Sequence, residues 1–170
     1  MKLKVGVLTI SDRSAAGKRE DLSGPALSRA VKEAGWSLEQ TAIVPDDFQE
    51  ITDVLTTWSD DGICSVILTT GGTGFSPRDI TPEATRAVIE REAPGIAEAM
   101  RSGSLKITPH AMLSRAVVGI RKKTLIVNLP GSPKGALENF RIVAPVLLHA
   151  VQLMEDDQAA EEGHIPGRAI

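Results

Sequence analysis

Cys64-Ser65-Val66-Ile67-Leu68-Thr69-Thr70-Gly71-Gly72-Thr73-Gly74-Phe75-Ser76-Pro77-Arg78-Asp79-Ile80-Thr81-Pro82-Glu83 decides how this chain folds. It begins as a short apolar run with no polar alternation, the pattern of a strand covered on both faces. The run opens into a glycine loop. Thr81-Pro82-Glu83 then starts a helix, because proline's missing N–H costs nothing in a first turn. Strand, loop and helix in that order make a βαβ unit, and βαβ units build parallel sheets.

The same alternation extends in both directions. Leu3 to Ile10 reads as a strand, and Ser23-Gly24-Pro25 begins a helix with Leu27, Ala30, Val31 and Ala34 on one face and Gly35 as its stop. Leu38 to Val44 reads as a second strand ending at Pro45-Asp46-Asp47. The helix after it has Ile51, Val54, Leu55 and Trp58 inward. Beyond Thr81, the stretch from 94 to 115 reads as mostly helical with breaks at Gly103 and Pro109. Ala116 to Ile120 and Thr124 to Leu129 flank the basic turn Arg121-Lys122-Lys123 as a small hairpin, and a long helix runs from Pro133 through Leu153. The expected fold is an α/β/α sandwich around a mostly parallel sheet, as one domain over 1–154. The acidic segment 155–170 is expected to be loosely held.

With 170 residues, one domain is the natural count. A net charge of −3 argues against a protein built to neutralise nucleic-acid phosphates. Aromatic residues at 3%, with no Tyr, disfavour base-stacking platforms. A single Cys excludes an internal disulfide and a multi-cysteine zinc site. No apolar run approaches the roughly 20 residues of a membrane span, and no signal-peptide pattern precedes Leu3, so a cytoplasmic protein is expected.

In a parallel sheet, ligands bind beyond the carboxyl ends of the strands. The residues there are Ser11-Asp12-Arg13, Asp46-Asp47, Thr70 to Gly74, and Pro130-Gly131-Ser132. The glycine loop reads either as a tight turn or as a nest of backbone N–H groups for phosphate, with Thr70, Thr73 and Ser76 adding hydroxyls. It is not a Walker A loop, since no Gly-Lys-Ser/Thr follows, nor a dinucleotide fingerprint, since Pro77 stands where a glycine is needed. Asp79 and the pair Asp46-Asp47 read either as turn and capping carboxylates or as ligands of a Mg²⁺ bound to phosphates. Arg78, Arg115 and Lys134 are candidate phosphate partners, while Arg121-Lys122-Lys123 decorates a hairpin tip. His110, His149 and His164 show no metal-ligand spacing. Cys64 reads as a small buried hydrophobe.

Taken together, Thr69–Gly74, Arg78-Asp79, Thr81-Pro82-Glu83-Ala84, Leu113-Ser114-Arg115 and Leu129-Pro130-Gly131-Ser132-Pro133-Lys134 resemble the molybdopterin adenylyltransferase (Mog) family. Ser11-Asp12-Arg13, Asp21-x-x-Gly24 and Pro45-Asp46-Asp47 add to the resemblance, which covers residues 4 to 153 in order. It implies a three-layer, often trimeric α/β protein that transfers AMP from Mg·ATP to the terminal phosphate of molybdopterin, whose product goes to a molybdate insertase. At this length a fused insertase domain is not expected. The resemblance makes Gly71, Gly72, Thr73 and Gly74, with Thr70, the phosphate loop, and Asp79 and Asp46 the carboxylates at Mg²⁺, Asp46 ahead of Asp47. It sets Ser11 and Asp12 near the nucleotide, Ser114 and Arg115 near the pterin, and Pro130, Gly131, Ser132 and Lys134 along the site. Two other functions stand as alternatives: a pterin-binding module without turnover, and a nucleotide-pyrophosphate hydrolase. Carboxylates at two strand ends favour catalysis over plain binding.

Overall fold

The computed structural model describes residues 2–155. Lys4–Ile10 (β1) leads through the short helix Asp12–Ala15 (α1) to Ser23–Glu33 (α2) and Ser37–Val44 (β2). Phe48–Asp60 (α3), Val66–Thr70 (β3), Thr81–Val88 (α4) and Arg91–Glu92 (β4) follow. The chain continues with Pro94–Leu105 (α5), the 3₁₀ helix Pro109–Leu113, Val118–Arg121 (β5), Thr124–Leu129 (β6) and Pro133–Met154 (α6).

The six strands form one sheet in the order β2-β1-β3-β6-β5-β4. The first four run parallel, whereas β5 runs antiparallel to β6 and β4 antiparallel to β5. Because strand side chains alternate between faces, each parallel strand feeds two cores. Val5, Val7, Val66, Leu68, Leu125, Val127 and Leu129 meet Leu27 and Val31 of α2, Met100 of α5, and Phe140, Val143 and Leu147 of α6. On the other face Leu8, Ile10, Ile67 and Ile126 meet Ile51, Leu55 and Trp58 of α3, and Ala84 and Val88 of α4. This is the three-layer sandwich. Trp36 and Phe140 close the first core edge to face, with centroids 5.7 Å apart.

Several local expectations shift. The third strand begins at Val66 rather than Cys64. Cys64 is nevertheless buried, and that burial pushes its thiol up to about 11, as befits a small hydrophobe. Ala34 lies exposed as the cap of α2 rather than on its inner face. Gly103 does not break α5. A Cβ there would stand 2.6 Å from Ile142 Cδ1, so the glycine lets α5 and α6 approach closely. The hairpin forms as expected but starts at Val118. There the side chain of Asn128 replaces part of the ladder, its Oδ1 accepting the Val117 N–H at 3.1 Å. The short elements α1 and β4 carry no clear pattern in the sequence. The expectation for 155–170 falls, beyond Glu155, outside the described residues, as does His164. No described helix is long and apolar enough to cross a membrane.

Asn128 is fully buried, and its Nδ2 donates to Thr69 Oγ1 at 3.1 Å and Thr85 Oγ1 at 2.9 Å. One side chain thereby ties β6 to β3, to α4 and to the segment entering β5. Asn128→Ala strands a buried N–H and two hydroxyls, and should cost about 2–4 kcal/mol in urea unfolding. An unchanged midpoint would contradict this role.

Candidate active site

A cleft of about 520 Å³ opens beyond the carboxyl ends of the parallel strands. Ser11 and Asp12 follow β1, Asp46 follows β2, Thr70, Gly71 and Gly72 end β3, and Gly131 and Ser132 follow β6. Ser76, Arg78 and Asp79 of the loop before α4 complete the wall. Stretches more than a hundred residues apart in sequence thus share one space, because parallel strands all deliver their following loops to the same edge.

The two aspartates after β2 separate into distinct roles. Asp47 caps α3, its side chain accepting the Glu50 N–H at 3.0 Å. Asp46 faces the cleft and exchanges bonds with Asp12. Its Oδ2 accepts the Asp12 N–H at 2.9 Å, and its own N–H donates to Asp12 Oδ1 at 3.0 Å. Partial burial pushes the Asp46 carboxyl above its ordinary range, and the charges of Asp12 and Asp79 add to that push. Asp12 moves the other way, held down by its hydrogen bonds to Arg78.

The glycine loop lies against both site carboxylates. Gly72 has φ +65°, and a Cβ there would stand 2.3 Å from Thr81 Oγ1 and 3.1 Å from Asp46 Oδ1. A Cβ on Gly74 would stand 2.8 Å from Asp79 Oδ2. Side chains are excluded here because two carboxylates and a threonine already fill the space. The amide of Gly71 donates to Leu129 O at 3.3 Å, so it is committed to the scaffold. Those of Gly72, Thr73 and Gly74 have no acceptor among the described residues. Free amides in succession are donors for phosphoryl oxygens.

Two arginines hold this arrangement. Arg78 forks onto Asp12, Nε to Oδ2 at 2.9 Å and Nη2 to Oδ1 at 3.0 Å, and also donates to the Asp46 carbonyl at 2.9 Å. Arg115 donates through Nε to Gly74 O and through Nη2 to Asp79 O, both at 2.7 Å, and pairs with Glu83. Its own N–H donates to Thr73 O at 2.9 Å. Arg115 therefore spans both ends of the loop carrying Asp79 and does not itself line the cleft.

The other expected site residues divide. Thr70 lines the cleft, while its hydroxyl donates to Pro130 O at 2.7 Å. Ser11 caps α1, and Ser132 caps α6 by accepting the Gly135 N–H. Thr73, Gly74, Ser114 and Pro130 line a neighbouring recess of about 290 Å³, more apolar than the cleft and sharing Ser132 with it as a lining residue. Lys134 lies along neither space; it is largely exposed and faces Glu138 at 3.9 Å, one turn along α6. Asp21, which also lines the cleft, is a further residue of the site. It accepts the Gly24 N–H at 3.0 Å at the start of α2 and the Thr9 hydroxyl at 2.6 Å. The Asp21-x-x-Gly24 spacing was the available signal.

No group of three or more His, Cys, Asp or Glu converges into a metal cage among the described residues. Mg²⁺ needs none, since it commonly takes one or two carboxylates together with phosphate oxygens and water. Asp46 and Asp79 suit that demand, because the charge of Asp79 bears on the half-buried Asp46 carboxyl and a cation would relieve it.

Residues 6–149 match the family model described as "Probable molybdopterin binding domain". Gephyrin of Dictyostelium discoideum is 46% identical over 160 residues, covering 88% of this chain and 22% of its own length. The chain thus spans less than a quarter of that relative. Molybdopterin adenylyltransferase of Helicobacter pylori J99 is 44% identical over 154 residues, covering 89% of this chain and 88% of its own. The solved molybdopterin biosynthesis enzyme MoaB of Thermus thermophilus superposes with a TM-score of 0.85 at 47% identity, covering 91% of this chain and 97% of its own.

Arg115→Ala should release the 73–79 loop. Hydrogen exchange at the Ser76 and Asp79 amides should then accelerate at least tenfold, while β1, β3 and β6 keep their protection. Unchanged exchange in the loop would remove Arg115 from this role.

Proposed function

The chain belongs to the molybdopterin-binding domain family, and from that premise we propose that it is a molybdopterin adenylyltransferase of molybdenum cofactor biosynthesis. The observation that carries this reading is the pair of carboxylates, Asp46 and Asp79, on either side of a glycine loop with unused amides. A protein that only held a pterin would have no use for two repelling carboxylates beside a phosphate-binding loop.

In the proposed reaction, a terminal phosphate oxygen of molybdopterin forms a bond to the α-phosphorus of ATP. The bond from that phosphorus to the bridging oxygen breaks, and pyrophosphate leaves with the electron pair. Such transfers need alignment and charge neutralisation more than a strong base. The amides of Gly72, Thr73 and Gly74 are the donors for the phosphoryl oxygens. Asp46 and Asp79 would hold Mg²⁺, which supplies positive charge to those oxygens and to the departing pyrophosphate. Arg78 and Arg115 keep the loop in register with both aspartates. The nucleotide is assigned to the larger cleft with Ser11 and Asp12, and the pterin to the apolar recess with Ser114, so that its phosphate meets the nucleotide near Ser132 and Gly74.

The same proposal includes a homotrimer and delivery of the adenylated pterin to a molybdate insertase. Leu105, Ile107, Met112 and Leu113, exposed at the end of α5 and in the 3₁₀ helix, offer an apolar face for self-association. Light scattering of the purified chain tests the trimer.

Pyrophosphate release with Mg²⁺, ATP and molybdopterin tests the activity. Asp79→Asn should abolish it while leaving pterin affinity within about tenfold, roughly 1.4 kcal/mol. An active Asp79→Asn protein would remove that carboxylate from the mechanism. Asp46→Asn should also abolish release without loss of stability. The Asp46 carboxyl is raised in the folded state, so its ionised form weakens folding as pH climbs past that raised value. A neutral amide escapes this penalty, and at pH 7 to 8 its melting temperature should equal or exceed that of the unsubstituted chain. A markedly lower melting temperature would mean that Asp46 serves the fold.

A further inference from the structure

At the edge of the sheet opposite the cleft, a second recess of about 470 Å³ opens beside the amino ends of β1, β3 and β6. Four lysines line it: Lys2 and Lys4 at the start of β1, and Lys122 and Lys123 at the hairpin tip. The carboxylates along its wall are Asp60 and Glu155. Asp60 is already occupied. Arg121 binds it in a fork at 2.9 and 2.7 Å, and Lys122 Nζ stands 3.0 Å away. Those partners hold the Asp60 carboxyl down to about 2, so it stays charged and engaged. Lys2, Lys4 and Lys123 join no ion pair among the described residues. In a chain of net charge −3, positive charge is thus concentrated at a concave site. Concave walls focus such a field.

The hydroxyls of the wall are buried or bonded. Ser59 is buried, lines the recess, and its Oγ has no hydrogen-bond partner. The other hydroxyls are taken: Ser65 Oγ donates to Lys4 O and accepts the Lys4 N–H, and Thr124 Oγ1 donates to Cys64 O. The polar wall is thus largely satisfied within the protein, and what the recess leaves unpaired is the charge of Lys2, Lys4 and Lys123.

We propose that this recess is a second anion site, specific for a small multiply charged phosphate compound. Lysine ammonium groups act as point charges and suit tetrahedral phosphoryl groups from several directions, without the planar fork that selects carboxylates. The volume matches a small-molecule pocket. No aromatic side chain lines it, so a nucleobase gains no stacking surface and recognition falls on the charge. The site lies across the sheet from the glycine loop and is independent of the reaction proposed there.

Titration of the ¹⁵N-labelled full chain with inorganic tripolyphosphate, at low ionic strength without Mg²⁺, tests the site. Saturable amide shifts are expected at Gly62, Ser65, Lys123 and Thr124, separate from any at Gly71–Gly74. Lys4→Gln with Lys123→Gln, both exposed positions, should weaken the first set at least tenfold and leave the second unchanged. Shifts confined to the glycine loop, or undiminished in the double variant, would overturn the proposal. So would binding seen only after Asp156, Asp157, Glu161 and Glu162 are neutralised in the full chain, since the chain's own acidic segment would then be the occupant.

Discussion

Asp46 and Asp79 face one another's charge across a glycine loop, and the loops at this edge of the sheet are built to hold them there. Left free, two like charges separate and solvate. Here Asp46 is fixed by reciprocal bonds with Asp12, and Asp79 rides on a segment gripped by Arg115 at Thr73, Gly74 and its own carbonyl. Arg78 joins the two halves by binding Asp12 and the Asp46 carbonyl together. The guanidinium groups neutralise part of the charge without covering the site carboxylates. What remains is negative charge beside the amides of Gly72, Thr73 and Gly74, which have no acceptor among the described residues.

That arrangement depends on the parallel sheet. β2, β1, β3 and β6 are adjacent and codirectional, so the loops after them share one rim although they lie far apart in sequence. The buried Asn128 network, with its bonds to Thr69 and Thr85, fixes the end of β3 relative to α4, and those two elements bound the glycine loop. Thr81 completes the link by donating its hydroxyl to Gly71 O and its amide to Gly72 O. Core packing and site geometry are thus continuous: a slip of β3 against β6 would displace the loop from both carboxylates.

Much of this was legible in the residues. Apolar runs of strand length alternating with amphipathic helices specified the layers, and Pro25, Pro82 and Pro133 marked the helix starts because each local rule agreed with the fold. Asp46 and Asp79 stand out as candidate carboxylates, the first just past a strand and the second at the end of the glycine loop. What the sequence left hidden was pairing in space. Nothing in the spacing says that Asp47 caps a helix while Asp46 turns to the cleft, or that Arg115 binds the carbonyls of Gly74 and Asp79. Such bonds join residues 36 to 41 positions apart, beyond any local pattern. Gly103 misled for the same reason: its purpose is the approach of Ile142 from another helix. Lys134 misled because proximity in sequence to Ser132 did not turn its side chain toward the cleft.

Under the proposed function, Asp46 and Asp79 jointly hold one divalent cation with the nucleotide phosphates. Electron paramagnetic resonance of Mn²⁺, titrated into the chain in the presence of ATP, reads this directly by comparing the unsubstituted protein with the two single asparagine variants. One tight nucleotide-dependent Mn²⁺ per chain is expected, weakened at least tenfold by either substitution. Full-strength binding in one variant and loss in the other would contradict a shared ion.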